Sequence, residues 1–138
     1  MVTADKLKVG DKLKTLVITV TPELNQQFLE AMDCDSSFYD YFVHPALLIG
    51  FSNITRSPSY KLDDGVAAIH VQDEIEFYGV GKVGDTFSID WEVISTYHKR
   101  DKHWQDREYQ VKEAIIRSGD KRIIQRRITD IFIRQDNT

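Results

Sequence analysis

The sequence predicts a single α+β domain in which an antiparallel sheet wraps around one apolar helix. Three observations support this: an almost wholly apolar segment that opens with proline, Pro45–Phe51; period-two alternation after Gly65; and turn residues that divide this later region into at least four long strands. An apolar helix beside one antiparallel sheet is buried best when the sheet encloses it. A length of 138 residues fits one domain and does not comfortably fit two, so we assign residues 1–138 to a single domain.

Two helices are predicted ahead of the sheet. Thr21-Pro22 marks the start of the first, because threonine caps a helix and proline needs no N–H at the first helical position. Apolar residues then recur at helical spacing to about Met32. The second helix runs from His44-Pro45 to about Ser57, and its apolar character on nearly every side implies burial all round. A strand rich in β-branched residues, Lys12–Val20, is predicted before both helices.

The segment between the helices, Asp33–Val43, has no clean period, and its Asp and Ser residues favour turns. It contains four aromatic residues, Phe38, Tyr39, Tyr41 and Phe42, so we expect it to fold over an apolar surface. The single cysteine, Cys34, has no activating base beside it and is expected to be a buried, small, apolar residue.

The first strand of the predicted sheet, Ala67–Phe77, alternates apolar and polar residues and is broken only at Asp73. In this pattern His70 lies on the polar face, beside Gln72 and Glu74. Further strands are predicted from Phe87 to about Arg100, from Tyr109 to Ile115 and from Lys121 to Arg134.

A sheet of this kind has edge strands, and pairing them between two chains is a common way to cover them. The polar face of Ala67–Phe77 carries histidine and glutamine rather than solvating lysines. We therefore expect a dimer whose sheets join edge to edge near this strand.

Composition and charge exclude several classes of protein. The net charge of −4 disfavours a globally basic nucleic-acid binder. Residues 97–127 nevertheless carry ten Lys/Arg against five Asp/Glu. This excess of positive charge forms either a solvated strand face or a surface that attracts a phosphorylated ligand or an acidic partner. The longest apolar run is far too short for a membrane span, and the N-terminus lacks the apolar region of a secretory signal.

Cysteine and histidine usage predicts a cytoplasmic protein without a bound metal. One cysteine cannot form an internal disulfide, which favours a reducing compartment. The four histidines show no metal-binding spacing, and no glycine-rich phosphate loop occurs. We predict neither a metal nor a cofactor.

Three segments together resemble MaoC-like hydratases and dehydratases. They are LKVGDKL with VTPELNQQFLEAMDCD near the N-terminus, VHPALL at the start of the apolar helix, and IHVQDEIEFYGVGKVGDTF in the strand and turn that follow. The resemblance extends over roughly Leu7 to Phe132. It implies a hot-dog fold, which is also the arrangement that the layer argument predicts. It further implies a homodimer or heterodimer, and an acyl thioester of coenzyme A or acyl carrier protein as the ligand.

The catalytic motif departs from the family pattern. The hydratases carry Asp-x-Asn-Pro-(Ile/Leu)-His, whose Asp and His activate the water that adds to the enoyl thioester. The same register here runs from Asp35 to Asp40, so the resemblance implies Asp35 as one catalytic residue, while Asp40 stands where the base is expected. Pro45 replaces the glycine whose N–H binds the thioester carbonyl in the family, and proline has no N–H.

Neighbouring residues offer replacements for the missing groups. His44 is either the replacement base, close to Asp35 or Asp40, or a helix-entry residue satisfied by backbone. Ala46, like Leu47, could donate its N–H to the thioester carbonyl from the helix start.

The acyl chain is expected to lie under the aromatic segment, where Tyr39 and Phe42 would contact it. If the resemblance holds, the face of the strand that carries His70 meets the dimer cleft and makes His70 a substrate contact. The alternative is a simple sheet-surface histidine.

Three functions are compatible with these residues. The first is an enoyl-thioester hydratase or 3-hydroxyacyl-thioester dehydratase with a rearranged site. The second is a catalytically silent acyl-binding subunit that pairs with an active MaoC-like partner, as the changes at Asp40 and Pro45 suggest. The third is a hot-dog acyl-CoA thioesterase, ranked last because residues 46–57 of the apolar helix contain no acid.

Overall fold

The structure, a computed structural model, describes residues 2–34, 36–56 and 60–135. The helices are α1 (Pro22–Ala31), α2 (Ser36–Tyr39) and α3 (Pro45–Arg56). The strands are β1 (Val2–Thr3), β2 (Leu16–Thr19), β3 (Tyr60–Lys61), β4 (Val66–Phe77), β5 (Thr86–Arg100), β6 (Asp106–Ser118) and β7 (Lys121–Arg134). An antiparallel five-stranded sheet has the order β2-β5-β6-β7-β4, and β1 pairs with β3 in a separate parallel pair. The predicted α+β architecture is confirmed.

The element with the clearest local signal forms as predicted. Helix α1 begins directly after Thr21, whose Oγ1 accepts a hydrogen bond from the Leu24 N–H at 3.1 Å. The first strand is shorter than expected, because only Leu16–Thr19 pair regularly with β5. The residues before it still contact β5 through single backbone bonds, such as the Leu13 N–H to the Trp91 carbonyl at 3.1 Å.

The hydrophobic core lies between α3 and the concave face of the sheet. Leu47 and Leu48 of the helix are buried together with Phe87, Ile89 and Trp91 of β5. The Trp91 Nε1–H donates to the Ser52 carbonyl of α3 at 3.0 Å, so the indole also satisfies a buried backbone acceptor near the end of the helix.

Burial of α3 is one-sided in the single chain, contrary to the expectation that it would be buried all round. Leu48 is 1% exposed, whereas Ile49, Gly50 and Phe51 are half-buried. One sheet of a single chain reaches only part of the helix circumference, which leaves the remaining flank open.

We predict that Leu48→Ala lowers the free energy of unfolding by about 2–5 kcal/mol, because it removes a fully buried side chain and leaves a cavity. Denaturant unfolding measures the change. Val17→Ala on the exposed face of β2 is the matched control, for which we expect a change within about 0.5 kcal/mol. Similar values for the two variants would contradict the central position of α3.

Strand β4 forms one edge of the sheet and contains a β-bulge. It pairs with β7 alone, and the register shifts between His70 and Gln72, so Val71 is the extra residue. A one-residue shift moves the side chains before the bulge to the other face of the sheet. His70 is therefore not beside Gln72 and Glu74, as the alternation predicted; it contacts Asp73 and Asp130 instead.

The N-terminal segment is attached to the same region of the sheet. The buried Asp5 carboxylate accepts the Asp63 N–H at 3.1 Å and a hydrogen bond from Arg134 at 2.9 Å. Burial raises the pKa of Asp5, but the Asp63 N–H and the Arg134 guanidinium outweigh it, so the pKa lies below its ordinary value.

Within the described part of the chain, no helix is both long and apolar enough to cross a membrane.

Candidate functional site

The start of α3 is closed by His44. The His44 Nδ1 accepts the Ala46 N–H at 3.1 Å, and the His44 carbonyl accepts the Leu47 N–H at 3.0 Å. The imidazole also packs against Tyr39 and Phe28, with ring centroids 4.6 and 5.7 Å apart. His44 thus has the contacts of a helix-entry residue, and both N–H groups considered for the thioester carbonyl are bonded to His44.

The aromatic segment is only partly packed. Phe38 stacks on Phe42 with centroids 4.9 Å apart and meets Tyr39 edge-on at 5.1 Å. Phe38 and Tyr41 nevertheless remain 54% and 58% exposed, so the expectation that the whole segment folds over an apolar surface is met only in part. A contact of Tyr39 and Phe42 with an acyl chain stays a prediction.

Asp40, the acid at the expected position of the base, is not brought into the core. Asp40 is exposed, and Cys34 is half-buried rather than fully buried as expected. Asp35 lies outside the described residues. A catalytic pairing of Asp35 or Asp40 with His44 therefore stays a prediction.

A second group of polar side chains lies on the helix-facing side of the sheet. We call it the His70 cluster: His70 and Asp73 of β4, Lys112 of β6, and Arg126 and Asp130 of β7. His70 Nδ1 is 3.2 Å from Asp130 Oδ1, and His70 Nε2 is 3.7 Å from Asp73 Oδ2. Lys112 Nζ donates to Asp130 Oδ2 at 2.9 Å. One imidazole is thus placed between two carboxylates.

Arg126 joins this cluster to α3. Its Nη2 donates to Asp73 Oδ2 at 2.7 Å, and its Nε donates to Asp73 Oδ1 at 3.1 Å. Its Nη1 donates to Ser52 Oγ at 2.8 Å and to Asn53 Oδ1 at 2.6 Å. A two-point pair of this kind fixes both the position and the plane of the Asp73 carboxylate.

Burial and charge distinguish His70 from its neighbours. Lys112 is completely buried and Asp130 nearly so, whereas the His70 side chain is 45% exposed. Within the described residues of the cluster, Lys112 pairs with Asp130 and Arg126 pairs with Asp73. The cluster is therefore a pair of hydrogen-bonded ion pairs beside one half-exposed imidazole.

Sequence reasoning placed His70 among the candidates but missed Lys112, Arg126 and Asp130. One signal was visible, because Asp73 breaks the alternation of its strand. A second signal lies in the positions of Arg126 and Asp130 along β7. They share one face of the strand with three buried apolar residues, Ile124, Ile128 and Phe132. Charged residues at core positions of a strand need partners, and the sequence does not show which.

This arrangement suits proton transfer. A histidine whose Nδ1 bonds to a buried carboxylate presents Nε2 as the atom that accepts a proton. Among the residues that the structure describes, no group of three His, Cys, Asp or Glu side chains is arranged to hold a metal ion.

An antiparallel sheet curled around a central helix defines the hot-dog fold, and this chain has it. Solved structures that the chain resembles include a mutant of the fluoroacetyl-CoA-specific thioesterase FlK in complex with fluoroacetate and CoA. That match has a TM-score of 0.61 and 13% identity, and it covers 93% of this chain and 96% of that one.

Two further structures share the fold. The ChsH1–ChsH2 complex from Mycobacterium tuberculosis matches with a TM-score of 0.68 and 12% identity over 89% of this chain and 96% of that chain. A hot-dog-like protein from Thermanaerovibrio acidaminovorans matches with a TM-score of 0.60 and 13% identity, covering 93% and 84%. No protein-family model and no curated protein matches the sequence. At these identities the likeness establishes the fold alone.

Proposed function

We propose that this protein is a dimeric acyl-thioester hydrolase, with His70 as the base that activates water. The observation that carries the proposal is the contact of His70 Nδ1 with the buried Asp130 carboxylate, which leaves Nε2 of a half-exposed imidazole to accept a proton. The substrate class is an acyl thioester of coenzyme A or of acyl carrier protein. FlK, with the same fold, is named as a fluoroacetyl-CoA-specific thioesterase, and this supports the choice of substrate class.

In the proposed reaction a water molecule attacks the thioester carbonyl carbon while His70 Nε2 takes one of its protons. The C–S bond of the tetrahedral intermediate then breaks, and the thiolate leaves with its electron pair and receives that proton from His70. Asp73 Oδ2, fixed by Arg126 and 3.7 Å from Nε2, is placed to accept a hydrogen bond from the other O–H of the attacking water, and this hydrogen stays on the product acid.

Hydrolysis suits this site better than hydration for a chemical reason. A thiol has a pKa of about 8.5, so a thiolate leaves without a strong general acid. Addition of water to an enoyl thioester also requires protonation of the α-carbon, and hence a second acid–base group at a defined position. Among the described residues of the site, His70 is the group that we assign to proton transfer, because Asp73 is paired with Arg126 and acts as a hydrogen-bond acceptor.

A thioesterase ranked last among the three functions because the apolar helix contains no acid. Two acids of the strands support this function instead: Asp73 and Asp130 lie 3.7 and 3.2 Å from the ring nitrogens of His70. Hydration by a rearranged MaoC-like site and a silent acyl-binding subunit are the two alternatives that the experiment must separate.

One assay separates the three functions. The purified protein is incubated with saturated acyl-CoAs of increasing chain length and with crotonyl-CoA, while free thiol and enone absorbance are followed together. We expect thiol release from at least one saturated ester. Loss of enone absorbance without thiol release would assign hydration instead. No turnover, combined with a higher melting temperature in the presence of acyl-CoA, would assign the silent subunit.

The dimer is part of this proposal and rests on the exposed edge of β4. Ile69 and Val71 are 47% and 45% exposed on a twelve-residue edge strand, and the strand contains no lysine. The unpaired N–H and C=O groups of a long edge strand pair readily with a second chain. Edge-to-edge pairing of β4 with β4 of a second copy would cover these residues.

We predict that the protein sediments as a dimer at micromolar concentration and that Val71→Lys shifts it towards the monomer, because the substitution places a charge in the paired edge. Val17→Lys, on the exposed β2 edge strand at the opposite side of the sheet, is the matched control and is expected to leave the dimer intact. A wild-type monomer, or a dimer broken only by Val17→Lys, would contradict pairing through β4.

A further inference from the structure

Lys112 occupies an unusual place for a lysine. Its side chain is completely buried, and in the register of the sheet it lies between Val93 of β5 and Ile128 of β7. A buried ammonium group is costly unless it is paired and hydrogen-bonded. Its contact with Asp130 Oδ2 at 2.9 Å supplies a partner. The sheet thus carries an ion pair at a position where an aliphatic residue would pack.

The two oxygens of Asp130 serve two different groups. Oδ2 accepts from Lys112, and Oδ1 lies 3.2 Å from His70 Nδ1. A carboxylate accepts hydrogen bonds and donates none, so the hydrogen of this contact belongs to Nδ1. In neutral His70 the unprotonated nitrogen is then Nε2, which lies 3.7 Å from Asp73 Oδ2.

We infer that Lys112 is a positioning residue: it holds the Asp130 carboxylate so that His70 keeps its hydrogen on Nδ1 and presents Nε2 as a base. The effect on catalytic rate rests on the proposed function, whereas the effect on the tautomer of His70 does not. Lys112 acts through Asp130 and does not reach the substrate.

Loss of Lys112 changes the hydrogen bonding of Asp130. The carboxylates of the cluster that face His70 are Asp73, paired with Arg126, and Asp130, paired with Lys112. Without the Lys112 ammonium, Asp130 Oδ2 loses a hydrogen bond of 2.9 Å that orients the carboxylate. Asp130 Oδ1 is then no longer fixed against His70 Nδ1, so the ring hydrogen is no longer confined to Nδ1.

The test combines nitrogen NMR of the imidazole with steady-state kinetics. In the wild-type protein at alkaline pH, long-range ¹H–¹⁵N spectra are expected to show the Nδ1–H tautomer of His70. In Lys112→Met we expect a mixture of tautomers and a lower kcat for thioester hydrolysis. A folded Lys112→Met protein with the wild-type tautomer would overturn the inference.

Two further variants keep the test decisive. Arg127 lies on the opposite face of the sheet, one register position away, and pairs with Glu113 at 2.9 Å. Arg127→Met therefore also removes a cation, but it is expected to change neither the tautomer of His70 nor the catalytic rate. If Lys112→Met does not fold, Lys112→Gln retains a donor without the charge. Its donor lies one bond closer to the backbone than lysine Nζ, so we expect a mixture of tautomers here as well, and the wild-type tautomer in this variant would overturn the inference. A wild-type protein without hydrolase activity would refute the proposed function, while the tautomer of His70 in the NMR spectra would still decide the role of Lys112.

Discussion

His70→Gln is expected to lower kcat for thioester hydrolysis by about 10²–10⁴-fold, which is the usual contribution of a positioned general base. Glutamine has a similar size and can contact Asp130 Oδ1 through its amide N–H, but it cannot take a proton from water. The free energy of unfolding should change little, because the His70 side chain is 45% exposed. Steady-state kinetics with the preferred acyl-CoA, together with denaturant unfolding, measures both effects.

Two histidines serve as controls for this substitution. His98 also contacts an aspartate, with Nδ1 2.8 Å from Asp106 Oδ2, but this pair is exposed near the tip of the β5–β6 hairpin. His98→Gln should therefore leave kcat unchanged. His44→Ala removes the contact with the Ala46 N–H and is expected to cost about 1 kcal/mol of stability. Loss of activity in His44→Ala with full activity in His70→Gln would place the site at the start of α3 instead.

Asp130→Ala is expected to lower the free energy of unfolding by about 3–5 kcal/mol, the typical cost of leaving a buried charge without its partner. The lysine affected is Lys112, which is completely buried and bonded to Asp130 at 2.9 Å. Urea unfolding monitored by tryptophan fluorescence measures the change, since Trp91 lies in the core.

Asp106→Ala provides the comparison for that variant. Asp106 also contacts a side chain of the same sheet, His98, but the Asp106 side chain is 63% exposed, so its loss should cost less than about 1 kcal/mol. Equal effects of the two substitutions would mean that the Lys112–Asp130 pair does not carry the stability assigned to it.

Elements with a strong local signal could be predicted from the sequence. Thr21 and Pro22 define the start of α1, and the alternation of Phe87, Ile89, Trp91 and Val93 defines the buried face of β5. Each of these signals depends on residues close together in the chain. The order of the predicted helices and strands was then enough to predict the fold, because a very apolar helix beside an antiparallel sheet has few ways to be buried.

The candidate site could not be predicted in the same way, for two physical reasons. Strict alternation assigns His70 to the polar face, and the bulge at Val71 that reverses this assignment has no separate mark in the sequence. The partners are also distant in the chain: His70 and Asp130 are 60 residues apart, and Asp73 and Arg126 are 53 apart. Only the pairing of β4 with β7 brings them together.

The position of β4 in the sheet has a consequence for the order of folding. Strands β5, β6 and β7 follow one another in the chain and pair as neighbours, whereas β4 must close a loop of more than forty residues to reach β7. Contacts between distant segments carry a larger entropy cost of loop closure and tend to form later. The hairpins of the β5–β7 meander should therefore form first, and His70 should meet Asp130 only when β4 docks. The proposed hydrolase activity should then be acquired at the end of folding, so that in stopped-flow refolding its return should lag behind the far-ultraviolet signal of the sheet.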